Sequence, residues 1–362
     1  MSAPPAQAPP RAADSGPLKL VEPGAGVPRV PPSAESLPVL GGLGGPSPGS
    51  EPGRPSVVSG LIKMVRPHQW VKNLFVLAPM FFAKDVVTTT LGGEPALNLH
   101  LTGRALAATA VFCLLAGAVY TINDLVDVDA DRVHPVKRHR PIASGVVPEP
   151  VARGAAAALV LTSLGLGYLL DPGFALVAAA YFVENLLYSF KLKKVAFVDV
   201  SMIALGFVLR VWAGGLATPV HVSGYMYACT ALLALFLGFG KRRHELAHEN
   251  AVKQRAALKA YTANALTVAL ALTGSATIVT YIAYTLDPTT EAFFRSHNLW
   301  LTAPFTVFGI GRFLYLVSGR AGRGTKAESP TQEMLHDVPF VLNLVAWVVV
   351  IVAIVYRLRP GM

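Results

Sequence analysis

Nine long apolar runs follow one another between residues 73 and 356 and constrain the fold more than any other feature of the sequence. Each run approaches the roughly 20 residues that a helix needs to cross a bilayer. Charged residues make up 14% of the chain, whereas soluble domains carry about 25%. The sequence therefore predicts an all-α integral membrane protein with nine transmembrane helices, near 73–90, 104–122, 151–170, 173–190, 197–214, 223–240, 264–286, 299–317 and 338–356.

Residues 1–56 differ from everything that follows them. They contain 14 of the 28 prolines and nine glycines. Such a segment cannot bury enough apolar surface to offset the entropy of ordering it. We predict a disordered Pro/Gly-rich tail over 1–56 and one transmembrane domain over 57–362.

Lysine and arginine predict the orientation of the chain in the membrane. The stretches 123–150, 190–196, 241–263 and 319–337 carry 4, 3, 6 and 3 of these residues. Basic connections remain on the cytoplasmic side. The N-terminus is therefore predicted in the cytoplasm and, after an odd number of crossings, the C-terminus outside.

An acidic stripe stands at the end of the second apolar run. If the helix continues, Asn123, Asp124, Asp127 and Asp131 fall on one face at spacings of three and four residues. Like charges at that spacing repel each other, and a divalent cation would offset the repulsion. Oxygen ligands without sulfur or imidazole suit Mg²⁺, which leads to a predicted metal site at these four residues. A solvated acidic loop is the alternative.

Basic residues follow the stripe directly, at Lys137, Arg138 and Arg140. Carboxylates, a metal and a basic cluster together are typical of a diphosphate site. The pattern Asn123-Asp124-x-x-Asp127-x-x-x-Asp131, with the continuation Arg138-His-Arg140-Pro141-Ile-Ala-Ser144-Gly145, resembles the UbiA superfamily of intramembrane prenyltransferases. The resemblance covers residues of about 60 to 356. It implies a UbiA-type helical bundle, a cytoplasmic active site and Mg²⁺ as cofactor.

Two further motifs resemble one branch of that superfamily, the decaprenyl-phosphate phosphoribosyltransferases. They are Arg66-Pro-His-Gln-Trp-Val-Lys72-Asn73 and Gly238-Phe-Gly-Lys241-Arg242-Arg243-His-Glu-Leu246. The resemblance implies transfer of 5-phosphoribosyl from phosphoribosyl diphosphate to decaprenyl (polyprenyl) phosphate at the plasma (inner) membrane. It also implies a role in cell-wall arabinan (arabinogalactan) precursor synthesis.

The sequence departs from the wider superfamily at the second aspartate motif. Tyr188 and the two lysines at 193 and 194 lead to Asp199, but the position four residues beyond is Ile203. One acid is present and its partner is not. The usual acid pair for a second diphosphate-bound Mg²⁺ is therefore incomplete, and the lysines suit direct contact with phosphate.

These motifs give a set of predicted site residues. The transition state resembles an oxocarbenium ion, whose positive charge Asp199 or Tyr188 would stabilise. The predicted catalytic residues are Asp127, Asp131, Asp199 and Tyr188. The predicted donor-binding residues are Lys72, Tyr120, Lys137, Arg140, Lys193 and Lys194. The predicted lipid-phosphate-binding residues are Arg66, Lys241, Arg242 and Arg243.

Three other functions remain open. The first is transfer of a prenyl group from prenyl diphosphate to an aromatic acceptor. The second is an intramembrane zinc protease, because His244-Glu245-x-x-His248 matches a zinc-binding pattern. The third is transport of an anionic solute. Glu184 and Arg210 lie inside apolar runs and either pair within the bundle or serve the reaction. The lipid bilayer is an expected partner, nucleic acid is not, and homo-oligomerisation is left open.

Overall fold

The computed structural model describes residues 56–82, 86–89, 95–218, 220–246, 256–318, 334 and 336–355. All of them belong to one compact unit that extends from Arg54 to Met362. The predicted disordered tail lies outside the described residues, apart from Ser56, and therefore stays a prediction.

Eight helical segments of the described chain are long and apolar enough to cross a membrane. Each of them coincides, within a few residues, with one of the predicted apolar runs from 104–122 onward. The all-α membrane architecture predicted from the sequence is therefore confirmed. The eight segments are α3 (Leu99–Val126), α5 (Glu149–Leu170), α6 (Pro172–Phe190), α7 (Val198–Ala217), α8 (Gly224–Leu246), α9 (Ala263–Leu286), a 3-10 turn (Leu299–Thr302) continued by α11 (Ala303–Val317), and α12 (Val338–Val355).

The first predicted crossing, 73–90, is not a single helix in the described residues, and the count of nine is not confirmed. Proline lacks the amide hydrogen that helix continuation needs, and Pro79 lies in the first turn of a new short helix that begins at Ala78. The β-branched run that starts at Val86 favours an extended chain instead. The region comprises α1 (Val57–Met64), a 3-10 segment (Pro67–Val76), α2 (Ala78–Phe82), β1 (Val87–Thr89) and β2 (Pro95–Leu97), the two strands forming an antiparallel hairpin.

Short elements join the long helices. The tight α5–α6 hairpin predicted at Asp171-Pro172-Gly173 is confirmed. Asp171 caps α6 by accepting a hydrogen bond from the Phe174 amide at 2.7 Å, and Pro172 occupies the first helical position. The other short elements are α4 (Val128–Val133), α10 (Pro288–Phe294) and 3-10 turns at Lys137–His139, Leu192–Lys194 and Ala256–Ala260.

Two apolar cores hold the bundle. One packs α3, α6 and α7 around Phe112 and Phe174, with Val76 of the 3-10 segment against them. The other packs α8, α9 and α11 around Phe236 and Phe313. Because α7 contributes Val200 to the second core and Leu209 to the first, it joins the two halves.

A buried polar cluster connects α7, α8 and the turn before α9. Asp199 is fully buried and accepts hydrogen bonds from Arg242 Nε at 2.8 Å and Tyr261 Oη at 2.6 Å. Arg242 is 1% exposed and also contacts Glu245 at 2.5 Å. Burial, reinforced by the hydrogen bond to Asp199, raises the pKa of Tyr261, so its hydroxyl remains a donor. This Asp199–Arg242 pair fixes the end of α8 against the start of α7.

Replacing Arg242 with methionine leaves the Asp199 carboxylate buried without its cation. We expect the free energy of unfolding in detergent to fall by about 3 to 5 kcal/mol. The matched control is Arg153→Met, because Arg153 pairs with Glu149 at the surface and should contribute less than about 1 kcal/mol. Equal losses for the two variants, measured by denaturant unfolding, would contradict a stabilising role for the buried pair.

Candidate functional site

The acidic stripe lies where α3 passes into α4. The helix ends at Val126, and Asp127 stands between the two helices with φ −94° and ψ 7°. The amide of Asp127 still bonds to the Asn123 carbonyl at 3.0 Å, and that of Asp131 to the Asp127 carbonyl at 2.8 Å. Helical hydrogen bonding between residues four apart therefore continues from Asn123 through Asp127 to Asp131, although the helix is interrupted at Asp127.

Arginines neutralise two of the acids. Asp124 and Asp131 are both buried, and Arg140 bridges them, with Nη1 at 3.1 Å from Asp124 Oδ1 and 2.6 Å from Asp131 Oδ2. Arg66 adds a second cation to Asp124 at 2.5 Å. Lys137 lies 4.0 Å from Asp131. These contacts hold the 137–140 turn, and Arg66 at the junction of α1 and the 3-10 segment, against the end of α3.

Asn123 and Asp127 provide the oxygens that suit a divalent cation. Asn123 Oδ1 is buried and accepts no hydrogen bond within the described chain. The Asp127 carboxylate is 40% exposed and has Lys193 Nζ at 3.5 Å. Mg²⁺ usually takes one or two protein ligands and completes its shell with water and phosphate. This pair therefore fits Mg²⁺.

The other two predicted ligands are placed differently. Asp124 and Asp131 have their carboxylates on Arg140. Within the part of the chain that the structure describes, no three His, Cys, Asp or Glu side chains come together as a metal site. The predicted four-ligand set is thus divided: Asp124 and Asp131 are bound by arginine, whereas Asn123 and Asp127 have no arginine partner among the described contacts.

Arg66 connects the acidic stripe to the junction between α1 and the 3-10 segment Pro67–Val76. Its backbone is left-handed, with φ 51°, which is unusual for a residue with a side chain. Its guanidinium contacts Asp124 and lies 5.2 Å from the centre of the Tyr120 ring. The lipid-phosphate role predicted for Arg66 competes with this ion pair. Tyr120 lies one helical turn before Asn123 in α3, and its predicted role in donor binding stays a prediction.

Lys72 is the lysine of the 3-10 segment Pro67–Val76. The residue is exposed. Partial desolvation by the surrounding protein, and then the charges of Lys241, Arg210 and Arg66, lower the pKa of Lys72 to about 8. The charge of Lys241 therefore acts on Lys72, although the sequence separates the two lysines by more than 160 residues.

The three basic residues at the end of α8 point in different directions. Arg242 is enclosed by Asp199 and Glu245, so the predicted grip of Arg242 on a lipid phosphate is corrected. Arg243 donates to the Ala263 carbonyl at 3.2 Å and to the Thr267 hydroxyl, both at the start of α9. Lys241 is the exposed member of the three.

The two residues predicted to stabilise an oxocarbenium charge also differ. Asp199 is fully buried and accepts hydrogen bonds from Arg242 and Tyr261, so the predicted contact of its carboxylate with substrate is corrected: the carboxylate is engaged within the bundle. Tyr188 is half-buried near the end of α6. Lys193 contacts Asp127, and Lys194 is exposed in the turn after α6.

An apolar cavity of about 460 Å³ adjoins the basic end of α8. Leu237 lines it, and Lys241 stands one helical turn beyond Leu237 on the same face of α8. A long apolar chain with one anionic end would fit this arrangement. Other residues that line the cavity are Phe82, Leu233, Tyr281, Ile310 and Trp347.

Three other residues of interest are Glu245 of the zinc-protease pattern, Tyr261 and Asn73. The glutamate of the zinc-protease pattern, Glu245, is bonded to Arg242, and His248 lies outside the described residues. Tyr261 was not anticipated, because nothing in its local sequence marks it as a partner of Asp199. Asn73 appeared only as the last residue of a motif, yet it is 1% exposed and bonded to Arg210.

Comparison with known proteins agrees with this geometry. Residues 76–330 match the UbiA prenyltransferase family. The chain is 36% identical over 310 residues to the decaprenyl-phosphate phosphoribosyltransferase of Mycolicibacterium smegmatis, covering 83% of this chain and 94% of that protein. It is 34% identical over 303 residues to the Mycobacterium tuberculosis protein of the same name, covering 83% and 95%.

A solved structure has the same fold. The UbiA homologue from Archaeoglobus fulgidus bound to GPP and Mg²⁺ aligns with a TM-score of 0.59 at 16% identity, covering 82% of this chain and 99% of that chain. The resemblance drawn from the aspartate motif is confirmed at the level of the family. The chain belongs to the UbiA prenyltransferase family and has that family's helical membrane fold.

Proposed function

We propose that this protein transfers 5-phosphoribosyl from phosphoribosyl diphosphate to a polyprenyl phosphate, decaprenyl phosphate in the first instance. Two features carry the proposal. The buried Asn123 oxygen, which accepts no hydrogen bond within the described chain, lies one turn before Asp127, which Lys193 contacts. An apolar cavity is lined by Leu237, one helical turn before Lys241. Similarity to curated decaprenyl-phosphate phosphoribosyltransferases over 83% of the chain supports it.

The donor binds at the stripe. Asn123 and Asp127 would hold Mg²⁺ for the donor diphosphate, and Lys193, 3.5 Å from Asp127, would supply a further cation. Bound Mg²⁺ neutralises charge on the leaving diphosphate. Lys72, Lys137 and Lys194 are exposed cations for the remaining phosphate.

The acceptor binds from the membrane. Its polyprenyl chain occupies the apolar cavity, and its phosphate lies at Lys241. The phosphate is already an anion at neutral pH, so the step needs no general base. A bond forms from a phosphate oxygen to C1 of the ribose, the bond from C1 to the diphosphate oxygen breaks, and the electron pair leaves with diphosphate. Tyr188 faces the positive charge at C1.

We further propose that the basic end of the bundle faces the cytoplasm of a plasma (inner) membrane, in keeping with its lysines and arginines. Donor supply from the cytoplasm requires this orientation. Labelling of a cysteine introduced at position 138 by an impermeant reagent outside sealed cells would contradict it. Participation in cell-wall arabinan synthesis follows from the same proposal.

A substrate competition tests the reaction itself. Purified protein with Mg²⁺ receives phosphoribosyl diphosphate with polyprenyl phosphate, or prenyl diphosphate with an aromatic acid. We expect product and diphosphate release only from the first pair, without any ion gradient. Turnover of the second pair alone would assign the protein to aromatic prenyl transfer.

Asp127→Ala removes the exposed carboxylate of the predicted metal pair. We expect turnover to fall at least about 100-fold, the cost of one strong electrostatic contact in a transition state. The control is Asp129→Ala, because Asp129 is 91% exposed and bonds only to Arg132 among the described ion pairs. Near-normal turnover of Asp127→Ala at saturating Mg²⁺ would remove Asp127 from the metal site.

Lys72 gives a pH dependence of definite sign. With a pKa of about 8, it is charged at neutral pH and loses its charge as the pH rises. We expect the donor KM to rise between about pH 7.5 and about pH 9 as this cation is lost. Lys72→Arg keeps its charge over that range and should flatten the profile. Identical profiles for both proteins would exclude Lys72 from the donor subsite.

A further inference from the structure

Arg210 is a buried cation in a membrane-spanning helix, and every nitrogen of its guanidinium reaches an acceptor. Nε donates to Asn73 Oδ1 at 2.9 Å, Nη1 to the Gly206 carbonyl at 2.9 Å, and Nη2 to Tyr181 Oη at 2.7 Å. Its guanidinium also lies 4.6 Å from the centre of the Tyr181 ring. Charges at this depth are costly and generally serve a purpose.

The bond to Asn73 leads out of the bundle core into the 3-10 segment Pro67–Val76. Asn73 is 1% exposed, and its amide also contacts Cys113 Sγ at 3.3 Å. The segment lies directly on α7, because a Cβ at Gly214 would stand 2.1 Å from the Val76 carbonyl oxygen. Phe75 packs edge-on against Phe207 of α7, with ring centres 4.8 Å apart.

A 3-10 segment of ten residues needs such support. The 3-10 helix has poorer hydrogen-bond geometry than the α-helix, and runs beyond three or four residues are uncommon. This segment also carries Lys72, next to Asn73 in sequence. The contacts to α7 therefore fix the backbone from which the Lys72 side chain extends.

We propose that Arg210 is a positioning residue of the donor subsite: its hydrogen bond to Asn73 fixes the 3-10 segment against α7 and so places Lys72 against a phosphate of the donor. The assignment rests on the proposed function for the identity of the donor. The competing role is purely structural. Glu184 lies near Arg210, since Glu184 Oε2 and Arg210 Nη1 both approach the Cβ position of Gly206 to 3.5 Å.

The first test uses Asn73, which is small and leaves the Arg210 charge in place. Asn73→Ala removes the acceptor, and we expect the donor KM to rise about tenfold, the usual cost of one hydrogen bond to a charged group. The acceptor KM and kcat should change little. Asn73→Asp keeps an acceptor for Arg210 and should restore the donor KM to within about threefold of the original.

A Lys72→Met background separates positioning from bundle stability. If Arg210 and Asn73 act through Lys72, Asn73→Ala changes the donor KM by less than about twofold in that background, because the two sites are coupled. A tenfold rise in both backgrounds, or a loss of folded protein without a change in donor KM, overturns the proposal.

Gly214→Ala tests the same contact without changing a polar group. The added methyl displaces the 3-10 segment from α7, and we expect the donor KM to rise as in Asn73→Ala. The control is Gly165→Ala, where the new methyl has nothing within 4 Å. An unchanged donor KM in folded Gly214→Ala protein overturns the proposal.

A substrate-free measurement distinguishes this inference from the proposed function. A small amine-reactive acylating reagent is added at a series of pH values, and the rate of Lys72 acylation is measured by mass spectrometry. Asn73→Ala should alter this rate, and an unchanged rate overturns the positioning role. If the unmodified protein does not turn over phosphoribosyl diphosphate at all, the proposed function fails separately, whatever the labelling result.

Discussion

Two buried carboxylates at the end of a membrane helix repel each other, and the site depends on the arginine that lies between them. Arg140 contacts both Asp124 and Asp131, and Arg66 adds a second cation to Asp124. These ion pairs join three parts of the chain: Arg66, the end of α3 with α4, and the turn that ends at Arg140. They therefore fix the three parts relative to one another. Among the described contacts they leave Asn123 and Asp127 without an arginine partner, and these are the two oxygens on which the proposed Mg²⁺ site rests.

Much of the fold was predictable because hydropathy is a local property. Eight apolar runs became eight membrane-length segments, and Asp171-Pro172-Gly173 produced the expected hairpin. The first run failed as a helix for reasons that its residues also contain. Pro79 interrupts it, and β-branched residues from Val86 onward favour strands. Mean hydropathy alone does not register either effect.

The site was predictable in its elements but less so in its contacts. The aspartate stripe and the basic turn after it meet as expected, because they are close in sequence. The sequence prediction assigns Lys241, Arg242 and Arg243 to one phosphate site, although successive helix residues point about 100° apart. One side chain of such a trio can face a substrate while its neighbours face other helices. The partner of Arg242, Asp199, is 43 residues away, and no local pattern announces that pairing.

The apolar cavity has a consequence for how a long lipid is selected. At about 460 Å³ it encloses only a part of a chain of ten isoprene units. Hydrocarbon gains little by leaving the bilayer for an equally apolar protein surface. Units beyond the cavity are thus solvated by the membrane in both the free and the bound state. For a polyprenyl phosphate acceptor, the protein therefore distinguishes lipids by the headgroup and the isoprene units nearest to it. Phosphates of shorter and longer polyprenols should have similar KM values when their concentrations are expressed per volume of bilayer.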